Sequence, residues 1–79
     1  MPMLHKDRLV GRLDPKLERK DRMLRVKALY LEPGVEPDDA LVADVAEAMR
    51  DFLRFHDATQ VVVQQSDPAE FGERLLRAL

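Results

Sequence analysis

LVGRLDPKLERKDRMLRVKAL, residues Leu9–Leu29, holds two short runs of alternating apolar and charged residues around a basic, polar middle. In the first run Leu9, Gly11 and Leu13 fall on one face, and Arg8, Val10 and Arg12 on the other. In the second, Leu24, Val26, Ala28 and Tyr30 alternate with Arg25, Lys27 and Leu29. A period of two is the signature of a half-buried strand. Asp14-Pro15 interrupts the pattern: aspartate before proline favours a turn, and Pro15 has no N–H for a sheet ladder. Upstream, Pro2–Leu4 reads as another short strand, with His5-Lys6-Asp7 as the turn of a hairpin.

Downstream the period changes. At about 100° per residue, Leu41, Val45, Ala48, Met49, Phe52 and Phe55 share one face of a helix expected over Pro37–His56. Asp44, Glu47, Arg50, Asp51 and Arg54 lie opposite, and Asp38 and Asp39 sit in the first turn, where carboxylates complement the helix dipole. Glu32-Pro33-Gly34 supplies the preceding turn. Thr59–Gln64 is a compact strand around Val61-Val62-Val63. A second helix is expected over Pro68–Leu79, with Asp67 as N-cap, Pro68 in the first helical position and Glu70 completing a capping box. Its apolar stripe is Phe71, Leu75, Ala78 and Leu79; Glu70/Arg74 and Glu73/Arg77 are favourable pairs four apart. The expected fold is therefore α+β, order β-β-β-α-β-α. Its small, mainly antiparallel sheet is covered on one face by two helices. Val45, Phe52 and Val62 or its alternating neighbours should be buried between them.

The chain has 79 residues and no cysteine, with 46% hydrophobic and 35% charged residues. That is one domain, residues 1–79. At this size folding buries about 60% of the unfolded chain's surface, so the core is thin. The absence of cysteine excludes a disulfide scaffold and a zinc–thiolate site and fits a reducing, cytoplasmic setting. The first twenty residues are too charged for a signal peptide, and no run is long enough to span a membrane.

The net charge of −2 hides a polarised molecule. Residues 1–27 carry nine Lys/Arg against four Asp/Glu, whereas residues 28–79 carry four against eleven. Arg8, Arg12, Arg25 and Lys27 are expected on the sheet face away from the helices, with Lys16, Arg19, Lys20 and Arg22 in the adjoining loop. A basic surface of this kind can face phosphate even on an acidic protein. The aromatics that stack single-stranded bases are missing: Tyr30 is the only tyrosine, and the three phenylalanines belong to helical stripes. Neither helix has the exposed face of a recognition helix.

Catalytic chemistry has little to work with. Ser66 is the only serine, Thr59 the only threonine and His5 and His56 the only histidines, and a nucleophile needs a base within reach. Ser66 is accounted for by its place at a helix start, and His56 by a helix C-terminus, where a cation is favourable. Gly11, Gly34 and Gly72 are isolated, so there is no glycine-rich phosphate loop. Gly34 is a turn glycine, and Gly11 marks a bulge or a close strand approach. No cofactor and no metal site is expected.

Asp7-Arg8-Leu9-Val10-Gly11-Arg12-Leu13-Asp14-Pro15-Lys16, followed by Glu18-Arg19-Lys20 and Leu24-Arg25-Val26, resembles the C-terminal part of YcaQ-type winged-helix DNA glycosylases. Members show a strand ending in Gly-Arg-(apolar)-Asp-x-Lys, an Ala-Asp-Arg-like step, here Leu17-Glu18-Arg19, and then Leu-x-Val. The resemblance continues through a helix like Ala40–Phe55, a strand like Val61–Val63 and a closing helix like Phe71–Leu79. It implies an accessory domain from a crosslink-unhooking DNA repair family, contacting the backbone of double-stranded DNA. The family's catalytic Gln-(apolar)-Gln or Gln-(apolar)-Asp motif lies in its N-terminal portion. Gln65-Ser66-Asp67 matches those letters with a polar middle residue and in the wrong place, so catalysis does not carry over. The chain is expected to be either part of a longer enzyme or a free-standing homologue of its last domain. A structural module that self-associates as a dimer through sheet edges is the alternative.

Overall fold

A computed structural model describes all of residues 1–79 and shows an α+β fold. The strands are β1 (Pro2–His5), β2 (Arg8–Glu18), β3 (Met23–Leu31), β4 (Gln60–Val63) and the two-residue β5 (Ser66–Asp67). The helices are α1 (Asp39–Phe55) and α2 (Ala69–Ala78). The sheet order is β1-β2-β3-β4, with β5 continuing beside β3. The first three strands are antiparallel neighbours, whereas β4 and β5 run parallel to β3. The expected order thus gains one short strand before α2.

Lys6 and Asp7 both adopt positive φ between the paired residues His5 and Arg8, as a tight two-residue hairpin turn requires. Asp14-Pro15 does not end the strand. β2 runs through it to Glu18, because the irregularity is absorbed on β3: Asp14 pairs with Ala28 and Pro15 with Val26, leaving Lys27 as an extra residue. Two residues before Pro15, Leu13 exchanges both backbone hydrogen bonds with Met1 at the outer edge of β2. Pro15 therefore turns its nitrogen toward the same edge, beyond the end of β1, where no ladder bond is lost and the edge is blunted against further pairing.

The bulge at Lys27 also resets the alternation. Leu24 and Val26 are buried as expected, but Leu29, not Ala28, is the next core residue at 0% exposure, and Tyr30 is 43% exposed. A second bulge does the same in β2. Met3 pairs with Gly11 and Leu4 with Leu9, so Val10 is the extra residue; Val10 turns inward and Leu9 outward, the reverse of strict alternation. A bulge places two successive side chains on one side and shifts the phase of those that follow.

All core side chains of the sheet (Met3, Val10, Leu13, Leu24, Val26 and Leu29) stand on one face, against Leu41, Val42, Val45, Ala46 and Met49 of α1 and Phe71 and Leu75 of α2. Val61 and Val63 extend this packing from β4, and Val62 faces away. Both helices therefore cover one face and leave the other open. The apolar stripe of α1 is only partly covered: Phe52 is half-buried, Ala48 is exposed, and Phe55 is 85% exposed. The core-facing direction is rotated toward Val42 and Ala46. Ala78 and Leu79 are likewise exposed at the end of α2.

Asp38 caps α1, its carboxylate accepting from the Leu41 N–H at 2.8 Å. The start of α2 differs from the expected capping box. Pro68 is the N-cap residue and Asp67 belongs to β5. Ser66 Oγ takes over, accepting from the Gly72 N–H at 3.0 Å and donating to the Pro68 carbonyl at 2.7 Å. A Cβ on Gly72 would lie 2.7 Å from Ser66 Cβ, so the hydroxyl reaches that N–H only because residue 72 has no side chain.

Candidate nucleic-acid interface

The open face of the sheet is read directly from the register. β2 contributes Arg12, Asp14, Lys16 and Glu18, and β3 contributes Met23, Arg25, Lys27, Ala28 and Tyr30. Arg12, Arg25 and Lys27 share this face, and Lys16 joins them, being part of the strand rather than of the loop. Arg8 does not. It pairs with His5, whose ring bonds Asp44 of α1 at 2.7 Å, so Arg8 stands on the helix side beside Val35 and Glu36. Arg19, Lys20 and Arg22 occupy the turn from β2 to β3, closed by the Arg22 N–H bonding the Arg19 carbonyl.

Partners inside the chain divide these cations into two groups. Arg25 Nε donates to Glu18 Oε1 at 2.8 Å, and its Nη2 lies 3.4 Å from Glu18 Oε2. That charge-assisted hydrogen bond holds the Glu18 carboxyl below its ordinary value and raises Arg25 further. Arg22 bonds both the carboxylate and the carbonyl of Asp57, at 2.7 and 3.1 Å; it ties the β2–β3 turn to the segment after α1. Arg12, Lys16, Arg19, Lys20 and Lys27 have no carboxylate within ion-pair distance. They form a row along the hairpin, from the middle of the open face to its tip. Most of the protein's acid lies elsewhere, with seven Asp/Glu on the two helices and the cap of the first.

Alternation alone identified the face, but not which of its cations are neutralised. The diagonal from Glu18 to Arg25 depends on the pairing Glu18–Met23 and Lys16–Arg25, which a four-residue turn sets. The turn's length became legible only once β2 was seen to run through Pro15.

Elsewhere the surface offers little catalytic material. No three His, Cys, Asp or Glu side chains come together as a metal site, and no helix is long and apolar enough to cross a membrane. The ring of His56 packs against Phe52 at 4.3 Å while its backbone N–H bonds the Phe52 carbonyl at the end of α1. Ser66 is engaged at the start of α2. An apolar groove of about 200 Å³ runs between β1–β2 and α1, with Asp44 its only charged wall. No known protein-family model matches this chain, and no solved structure matches it.

Proposed function

We propose that this chain is an accessory domain that contacts the phosphate backbone of double-stranded DNA through the open face and tip of the β2–β3 hairpin. It carries no catalytic motif of its own. The observation behind this reading is the row of Arg12, Lys16, Arg19, Lys20 and Lys27, none of them in an ion pair within the chain. Arg22 and Arg25 brace that row from within rather than reaching outward. Such contacts position a duplex without reading its sequence. The resemblance of Gly11–Lys16 and Leu24–Val26 to the last domain of winged-helix DNA glycosylases points the same way, and the proposed setting is the cytoplasm. Self-association through sheet edges is less favoured, because β1 and β4 are four residues each and the free end of β2 carries Pro15.

The test is titration of a short fluorescent duplex at low and at moderate salt. Binding is expected at low salt, equal for unrelated sequences, with log affinity falling linearly against log salt as counterions are released. Absence of binding at low salt, or affinity insensitive to salt, overturns the reading.

A further inference from the structure

β4 ends the sheet on the side opposite β1, and its outer edge has no neighbouring strand. The N–H groups of Gln60 and Gln64 bond the Arg22 and Val26 carbonyls on the β3 side. By the alternation of a strand, Val61 and Val63 direct their N–H and C=O groups outward, unpaired. Four residues of edge are too short to hold two folded copies together. The strand is nevertheless the least anchored of the four along the sheet. It pairs on one side only and none of its residues is fully buried, whereas β1, β2 and β3 each bury at least one. Elements held in this way open at a lower cost than the whole domain.

The segment that such opening releases is chemically unlike the rest of the chain. Ala58–Ser66 is nine residues without a charge, in a protein of which 35% is charged and in which no other uncharged run exceeds five. It contains no proline or glycine, and Thr59 and the three valines favour extended backbone. Gln60-Val61-Val62-Val63-Gln64 reads alike in both directions, so parallel and antiparallel stacking both set valine on valine and glutamine on glutamine. Low charge, β-branched side chains and glutamines that bond in ladders are the composition of segments that stack as cross-β. Asp57 on one side and Asp67-Pro68 on the other bound the run, as charge and proline bound strands that would otherwise aggregate.

We propose that Thr59–Gln65 is where copies of this chain add to one another: when β4 opens from β3, the segment stacks on the same segment of further copies in a cross-β assembly. The unpaired outer edge and the exposed Val62 supply the first contacts. The occupant is a second copy of the same segment, because no charge in the run selects a foreign strand while its palindrome matches itself. The basic row of the β2–β3 hairpin takes no part, so the assembly stands or falls independently of DNA contact.

The test holds the whole chain a few degrees below its melting midpoint and follows thioflavin fluorescence. The wild type is expected to assemble after a lag and to give fibre reflections at about 4.7–4.8 Å and about 10 Å. Val62→Lys and Gln64→Lys each place a charge in the run at an exposed position and should lengthen the lag at least about threefold. Leu4→Lys, at a side chain 62% exposed on β1, changes the net charge by the same amount and should leave the lag near that of wild type. Each variant is compared at the same interval below its own midpoint, so a change in global stability does not enter. Three results overturn the proposal: a wild type that stays soluble or precipitates without those reflections, lags for Val62→Lys and Gln64→Lys equal to that of wild type, or a lag lengthened as much by Leu4→Lys.

Discussion

A Cβ added to Gly11 would sit 2.0 Å from the backbone carbonyl oxygen of Tyr30, and 2.9 Å from the end of the Met3 side chain. β2 and β3 leave no room for a side chain there, beside the bulge at Val10. Backbone cannot yield as a flexible side chain can. Gly11→Ala should therefore destabilise the fold by at least about 1–3 kcal/mol, the usual range for overpacking a well-filled site. Chemical denaturation of the two proteins decides it; an unchanged midpoint would mean that the strands separate freely at this point.

The three phenylalanines should separate cleanly by burial. Phe71 is fully buried beneath α2, Phe52 is a half-buried groove wall, and Phe55 stands in solvent. Phe71→Ala should cost about 3–5 kcal/mol, enough to unfold a domain this small, with a smaller loss for Phe52→Ala. Phe55→Ala should leave the monomer's stability within about 0.5 kcal/mol of wild type. Melting temperatures should rank in that order.

Ser66 and Asp67 offer a direct comparison at the start of α2. Ser66→Ala removes the acceptor for the Gly72 N–H and should cost about 0.5–2 kcal/mol, as loss of a helix cap does. The side chain that accepts from an N–H of α2 is Ser66, not Asp67, so Asp67→Ala should cost less. The reverse order in a thermal melt would restore Asp67 as the cap.

Acid should uncouple Glu18 from Arg25. Because the folded-state pKa of Glu18 is depressed below 4.5, chiefly by its hydrogen bond with Arg25, the carboxylate favours the folded state. That contribution is complete above the unfolded value and is lost as pH falls through the lower folded one. The melting temperature of wild type should exceed that of Glu18→Gln at neutral pH, and the gap should begin to narrow below about pH 4.5 and close once the pH is below the folded value. A gap that stays constant into acid would show that the difference between the proteins is not ionic.

How much of this was legible in the sequence follows from where the periods hold. The period of two before Pro37 and the period of 3.6 in the two helical segments place Leu24, Val26, Leu41, Val45, Met49, Phe71 and Leu75 in the core, but they do not give the full length of β2. The errors cluster where one residue is added to a strand. Lys27 has no glycine or proline beside it to flag a bulge; Gly11 does flag the one at Val10, but not which neighbours change face, and the two bulges move Leu29 inward and Leu9 outward. Pro15 reads as a break because its missing N–H is visible in sequence, whereas the open edge that makes the loss harmless is not. The sequence places Ser66 beside the helix start but does not reveal its bond to the Gly72 N–H, which spans six residues and needs the close approach at Gly72. The basic face was readable from alternation; its division into paired and unpaired cations needed the register.

That division makes the DNA reading specific to residues. Arg12 and Lys16 are free on the open face, whereas Arg25, beside Lys16, is held by Glu18. If the duplex lies along this row, Arg12→Gln or Lys16→Gln should weaken binding alike for all sequences and lower the slope of log affinity against log salt by about one each. Arg25→Gln frees the Glu18 carboxylate next to Lys16. It should lower thermal stability and weaken binding by adding a negative charge to the face rather than by removing a contact. The double variant Glu18→Gln/Arg25→Gln should then recover wild-type affinity, although it lacks one arginine. Equal losses for Arg12, Lys16 and Arg25, without recovery in the double variant, would show that Arg25 reaches phosphate itself and that its bond to Glu18 opens on binding.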